Sequence, residues 1–155
     1  MLPSIQEVLD YVQEEDVKFV RLAFFDLFGK QKNVSIMSSQ LERAFTTGIS
    51  FDASAVSGFE TPEKSDLFLF PDPQTLSVLP WRPNTGKVVR MFCTIQTPDG
   101  EIYKNDCRSI LKKAVKTLNS ECNIELSFGS EVEFYLFKLD ENKKKKKIPF
   151  DNAGY

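Results

Sequence analysis

The first apolar positions of the chain recur at helical spacing. Ile5, Val8, Leu9 and Val12 fall on one helix face, led by Ser4-Ile5-Gln6-Glu7, which has the form of a capping box. The period then shortens. Val17 to Phe25 is apolar on both faces and predicts a strand, and Asp26-Leu27-Phe28-Gly29-Lys30 reads as a turn into a second strand near Lys32 to Ile36. Ser39-Gln40-Leu41-Glu42 starts a short helix that Gly48 can end. From Phe51 to Lys64 small and turn-forming residues predict an exposed loop. Leu67 to Phe70, Leu76 to Leu79 and Val88 to Ile95 predict further strands, and Pro98-Asp99-Gly100 a hairpin turn into Glu101-Ile102-Tyr103.

Beyond Tyr103 the character changes. Asp106 or Ser109 can cap a helix whose face is Ile110, Leu111, Ala114, Val115 and Leu118, and strands are predicted over Ile124 to Phe128 and Glu131 to Phe137. On the last of these, alternation puts Glu131, Glu133, Tyr135 and Phe137 on one face and Val132, Phe134 and Leu136 on the other. Acids at i and i+2 sit roughly 7 Å apart on a strand face. Beside apolar neighbours they would repel each other and lose hydration. A divalent cation relieves both costs, and hard oxygen ligands suit Mg²⁺ or Mn²⁺. A half-exposed strand with a solvated acidic face has the same spacing. Lys143 to Lys147 is read as a solvated loop tip between two strands rather than a nucleic-acid site. A helix and two or three strands bury too little to stand alone, so the chain reads as one complete domain and the beginning of a second.

Composition excludes several classes. With 155 residues, 41% hydrophobic and 27% charged, the chain can bury one good core and is not disordered. A net charge of −2 points to neither nucleic acid nor an anionic membrane. No apolar stretch approaches the ~20 residues needed to cross a bilayer, and no signal-peptide pattern opens the chain. Cys93, Cys107 and Cys122 are odd in number and widely spaced, which reads as reduced thiols and a cytoplasmic protein. Histidine is absent, so any catalysis by these residues must rest on carboxylates.

Four blocks then occur in order. They are Val20 to Gly29 (VRLAFFDLFG), Gly48 to Phe59 (GISFDASAVSGF), Lys64 to Pro73 (KSDLFLFPDP) with Leu79-Pro80-Trp81 closing its segment, and Gly129 to Phe137 (GSEVEFYLF) followed by Asp151 to Tyr155. Together they resemble the N-terminal third of type I glutamine synthetase, and the resemblance covers essentially the whole chain. It implies an α+β protein. Residues 1–103 match a β-grasp-like N-terminal domain and residues 104–155 the incomplete start of the α+β catalytic domain.

The resemblance also implies a chemistry. In that family ATP phosphorylates the γ-carboxylate of glutamate, and ammonia then displaces the phosphate. Glu131 and Glu133 match the carboxylates that hold two divalent metals, Mg²⁺ or Mn²⁺. Asp52 matches an aspartate that the small domain projects into the neighbouring subunit's active site, where it binds ammonium and helps remove a proton. The alternative is that Asp52 only caps its loop, satisfied by Ser54. The implied partners are glutamate, ammonium, ATP and further copies of the same chain in a double-ring dodecamer, with neither nucleic acid nor membrane. No residue for the nucleotide itself is indicated.

The chain departs from the family at three places. Ala53 and Ala55 stand where the family block often reads Gly and Ser, and Phe150 precedes Asp151 where relatives commonly carry His. The Ala55 change removes a hydroxyl beside Asp52 and leaves open a γ-glutamyl ligase acting on a polyamine or another amine. A catalytically dead structural relative is a third possibility, disfavoured because a structural role needs no clustered acids. By itself the fragment is expected to be inactive, since two carboxylates hold a metal weakly.

Overall fold

The structure is a computed structural model that describes residues 2–80 and 86–150. Trp81 and the Asp151 to Tyr155 block lie outside the described residues. The chain divides into two compact units, Met1–Ile124 and Glu125–Tyr155, each described by itself.

The first unit opens with helix α1 (Ile5–Glu14), and its cap is the one the sequence specifies. The Ser4 side chain accepts from the Glu7 N–H, and the Glu7 carboxylate accepts from the Ser4 N–H at 2.7 Å. Strand β1 (Val17–Phe25) then pairs antiparallel with β2 (Gln31–Met37). The turn between them is built by Asp26. Its Oδ1 accepts the backbone N–H groups of Phe28 at 3.0 Å and Lys30 at 2.9 Å, and Gly29 supplies the left-handed φ of +74°. Burial works to raise the Asp26 pKa. The two N–H donors and the Lys32 ammonium, 3.5 Å away, outweigh it and hold the carboxyl below its ordinary range.

A single-turn 3₁₀ segment leads into helix α2 (Leu41–Thr46), which Thr47 caps and Gly48 leaves with φ +71°. Strands β3 (Ile49–Asp52), β4 (Asp66–Pro71), β5 (Ser77–Val78) and β6 (Lys87–Gln96) complete a six-stranded sheet in the order β2-β1-β6-β4-β3, with β5 also on β6. β1 and β6 run parallel; the other pairs are antiparallel. Val8 and Val12 of α1 and Leu41 and Ala44 of α2 share a core with Val20, Leu22, Val89, Met91, Leu69 and Ile95 of the sheet. Helices therefore cover one sheet face, the α+β arrangement expected.

The stretch from Phe51 to Lys64 is a correction. Phe51 and Asp52 end β3, and Ala53 and Val56 are buried in the core rather than exposed on a loop. Nothing local in that sequence announces a strand; pairing with β4 creates it. The Pro98-Asp99-Gly100 turn forms as expected, with Gln96 bridging Ile102 and Gly100 at φ +82°. Helix α3 (Cys107–Cys122) is capped by Asp106, whose carboxylate accepts from the Arg108 N–H and, at 2.5 Å, from the Ser109 hydroxyl. Arg108 ties α3 to the end of β4 through Asp72, Nη2 to Oδ2 at 2.6 Å.

In the second unit, β7 (Phe137–Leu139) and β8 (Lys145–Pro149) form a hairpin. Asp140 builds its turn as Asp26 does, accepting from the N–H groups of Asn142 and Lys144. The lysine run divides: Lys143 and Lys144 belong to the turn, while Lys145, Lys146 and Lys147 enter β8, all exposed. The predicted strands over Ile124 to Phe128 and Glu131 to Phe137 are not present before Phe137. The reason is physical. A strand needs a hydrogen-bonded neighbour, and β8 reaches only the Phe137 end, so Val132 and Phe134 remain 80% and 72% exposed. No helix among the described residues is long and apolar enough to cross a membrane.

Gly48 joins local and tertiary constraints at one position. A Cβ there would adopt the left-handed φ and meet the Phe70 ring at 2.8 Å. Gly48→Ala is therefore expected to destabilise the first unit by about 1–3 kcal/mol, read as a lower urea midpoint with an unchanged slope. An unchanged midpoint would show that neither the backbone angle nor the Phe70 contact constrains this residue.

Candidate carboxylate site

Asp52 is the last residue of β3 and stands directly opposite Asp66, the first residue of β4. Both are exposed. Opposed like charges destabilise a strand pair, so this end of the sheet concentrates negative potential that a cation would relieve. Asp66 was not singled out from the sequence. Only the β3–β4 register brings it to Asp52, and no short-range pattern encodes that register.

The Asp52 carboxylate is oriented by its own turn. Oδ1 accepts from the Ser54 hydroxyl at 2.6 Å and the Ser54 N–H at 2.9 Å, capping the 3₁₀ turn Ala53–Ala55. Both bonds use Oδ1, so Oδ2 takes no part in the cap. The Ser54 hydroxyl first, then its N–H, hold the Asp52 pKa below the ordinary aspartate range. The carboxylate is thus ionised, fixed and open to solvent. The Ala53 departure has a structural account: its side chain is fully buried in the core, where glycine would leave a gap. Ala55 is exposed next to Asp52, so a hydroxyl there would meet solvent rather than core.

Beside this end of the sheet lies an open groove of about 700 Å³. Glu60, Glu63, Asp66 and Asp99 line it against Lys64 and Lys104, an acidic excess. Groove and carboxylate pair together favour small cations over anions.

Glu131 and Glu133 belong to the second unit, in the segment that forms no strand, and both are exposed. The expected alternation of faces is consequently not imposed by any sheet. Among the described residues no group of three or more His, Cys, Asp or Glu side chains converges. Two hard carboxylates fit Mg²⁺ or Mn²⁺ in kind but supply two of the six ligands such ions take. Cys93 offers no nucleophile, because burial pushes its thiol pKa well up and keeps it protonated.

Comparison with known proteins gives this arrangement a family. Residues 16–98 match the model of the glutamine synthetase β-grasp domain. The glutamine synthetase of Methanosarcina mazei is 43% identical over 97% of this chain and 33% of its own length. That of Clostridium saccharobutylicum is 40% identical over 97% of this chain and 34% of its own. The chain thus spans about a third of the length of the curated relatives it matches. Among solved structures, a Plasmodium falciparum glutamine synthetase superposes with a TM-score of 0.69 at 24% identity, covering 77% of this chain and 23% of that one. A GmaS/ADP complex superposes with a TM-score of 0.67 at 21% identity, covering 78% and 26%. At those identities the likeness concerns the fold.

The Asp52 geometry sets a test. A carboxyl held low by Ser54 contributes stability above the ordinary aspartate pKa of about 3.9 and loses it as pH falls through the lower, folded value. In a ¹³C NMR titration Asp52 should protonate at lower pH than an unperturbed aspartate, and Ser54→Ala should move its midpoint upward. A midpoint indifferent to Ser54→Ala would remove the cap as the cause.

Proposed function

Since the chain belongs to the glutamine synthetase family through its β-grasp domain, we propose that it is the N-terminal part of an ATP-dependent ligase that joins glutamate and ammonia to form glutamine. In this reading residues 1–103 are the β-grasp-like domain and residues 104–155 begin the catalytic domain. The observation that carries it at the level of chemistry is Asp52: an exposed, turn-oriented carboxylate opposite a second acid, kept ionised by Ser54.

Each residue has a distinct task. Asp52 attracts ammonium by charge, with Asp66 and the acidic groove adding to the local potential, and then accepts a proton as the amine becomes a nucleophile. Its pKa is low when the site is empty, so proton acceptance depends on the charge of the phosphorylated intermediate nearby. Glu131 and Glu133 would hold Mg²⁺ or Mn²⁺. A divalent cation bound there supplies charge neutralisation for phosphate oxygens during transfer of the γ-phosphoryl group to glutamate. Two carboxylates leave such an ion largely hydrated, so further ligands must complete the site, and residues 1–155 alone should not turn over. In this reading Asp52 serves the active site of a neighbouring copy, which makes a homo-oligomeric ring, the double-ring dodecamer, part of the proposal. Ala55, exposed beside Asp52, keeps a second reading in view: a ligase for a larger primary amine.

The test is phosphate release from ATP by the polypeptide carrying this chain at its N-terminus, with glutamate and Mg²⁺, comparing ammonium with a panel of primary amines. Ammonium-dependent release is expected. Glu131→Ala or Glu133→Ala should abolish it, and Asp52→Ala should reduce it by at least about 10²-fold, as removal of a positioned base does. Release only with a larger amine would transfer the assignment to the amine ligase. Absence of release with any amine would overturn the ligase proposal.

A further inference from the structure

The sheet face opposite the helices carries a row of four residues across four strands. Ser35 on β2 pairs with Arg21 on β1, Arg21 with Arg90 on β6, and Arg90 with Ser77 on β5. Residues in direct register point to the same face, so the two arginines leave one face of adjacent strands, each with a serine on its outer neighbour. The neighbouring rows point the other way: Val20 with Val89 and Leu22 with Met91 enter the core.

Like charges in register destabilise a sheet, and sheets that keep them have a use for them or a counter-charge close by. No acid shares this face on β1, β2, β5 or β6: none of the positions alternating with Arg21, Ser35, Arg90 or Ser77 is Asp or Glu. Among the described residues neither arginine forms an ion pair. Arg90 is further along. Its Nε is buried with no hydrogen-bond partner among the described residues, and its guanidinium lies 4.7 Å over the Phe92 ring. Phe92 stacks in turn on Phe25, with centroids 5.5 Å apart. Stacking immobilises the guanidinium plane, whose N–H edge is the part that reads anions.

We propose that the Ser35–Arg21–Arg90–Ser77 row is a binding site for a dianionic oxyanion of the phosphate class, a site the ligase reading does not use. A single carboxylate would cancel one of the two charges, whereas a phosphate dianion cancels both. Its oxygens can also accept from both guanidinium forks at once. The Phe92–Phe25 pair beside Arg90 gives a phosphate ester somewhere to lay an apolar or aromatic group.

The probe is inorganic phosphate, added to the 155-residue chain at an ionic strength held constant with chloride, and read by thermal unfolding and calorimetry. The expected result is a saturable rise in Tm with phosphate. Arg21→Gln and Arg90→Gln should each weaken binding at least about tenfold, and Arg21→Gln should leave Tm without phosphate unchanged or higher, since it removes one of two repelling charges. Arg90→Lys keeps the charge but loses the stacked fork, and should also bind weakly. An aromatic phosphate monoester binding more tightly than inorganic phosphate would assign the site to the phosphate group of a larger molecule. Equal binding would assign it to free phosphate. The proposal fails if chloride reproduces the Tm rise, or if both Gln variants bind phosphate as the unaltered chain does.

Discussion

The parallel pairing of β1 with β6 is the constraint on which the first unit depends. Residues about 70 positions apart in sequence meet in a fixed register, Val20 with Val89 and Leu22 with Met91. A one-residue slip would turn every side chain to the other face, burying Arg21 and exposing Leu22. The apolar residues of α1 and α2 hold the register by accepting only the Val20–Leu22–Phe24 side. β6 then carries β4, β4 carries β3, and β3 ends at Asp52. The position of the candidate carboxylate is thus two strand pairings removed from the contact that fixes it. Mutations in the β1–β6 core should therefore be felt at Asp52 without touching it.

What could be read from sequence follows from how far apart the determining groups lie. Ser4 and Glu7 are three residues apart, and their capping box is legible. So are the Asp26 turn, the Asp106 cap and the exit of α2 at Gly48. Strand β1 is legible because apolar residues fall on both its faces, interrupted only by Lys18 and Arg21. β3 was missed because it is only four residues long and runs into the small residues Ala53 to Ala55, so only β4 makes it a strand. Asp66 was missed for the same reason: a register is a relation between two segments, and neither segment states it alone. The Arg21–Arg90 row was hidden likewise, each arginine looking like an ordinary polar position until the strands are laid side by side.

The segment around Glu131 shows the converse error. Its alternating pattern is a sound strand signal, yet alternation specifies which face a side chain takes only once a neighbour supplies the hydrogen bonds. Within the second unit β8 reaches only from Phe137 onward. Val132, Phe134 and Leu136 are an apolar face that 31 residues cannot cover, so the pattern is a specification the unit cannot itself fulfil.

The candidate carboxylates are consequently of two kinds, one in each unit. Asp52 obtains its orientation from Ser54, two residues away. Glu131 and Glu133 obtain none from residues 125–150, and an exposed carboxylate pair must surrender side-chain freedom and hydration to ligate a metal. In the ligase reading this division is functional. The carboxylate that would attract ammonium is oriented by its own turn and is ionised at neutral pH. In that reading the glutamate pair would need further strands and ligands to bring both side chains onto one face. Metal affinity should therefore track the completeness of the catalytic sheet, whereas the Ser54 cap that orients Asp52 should not.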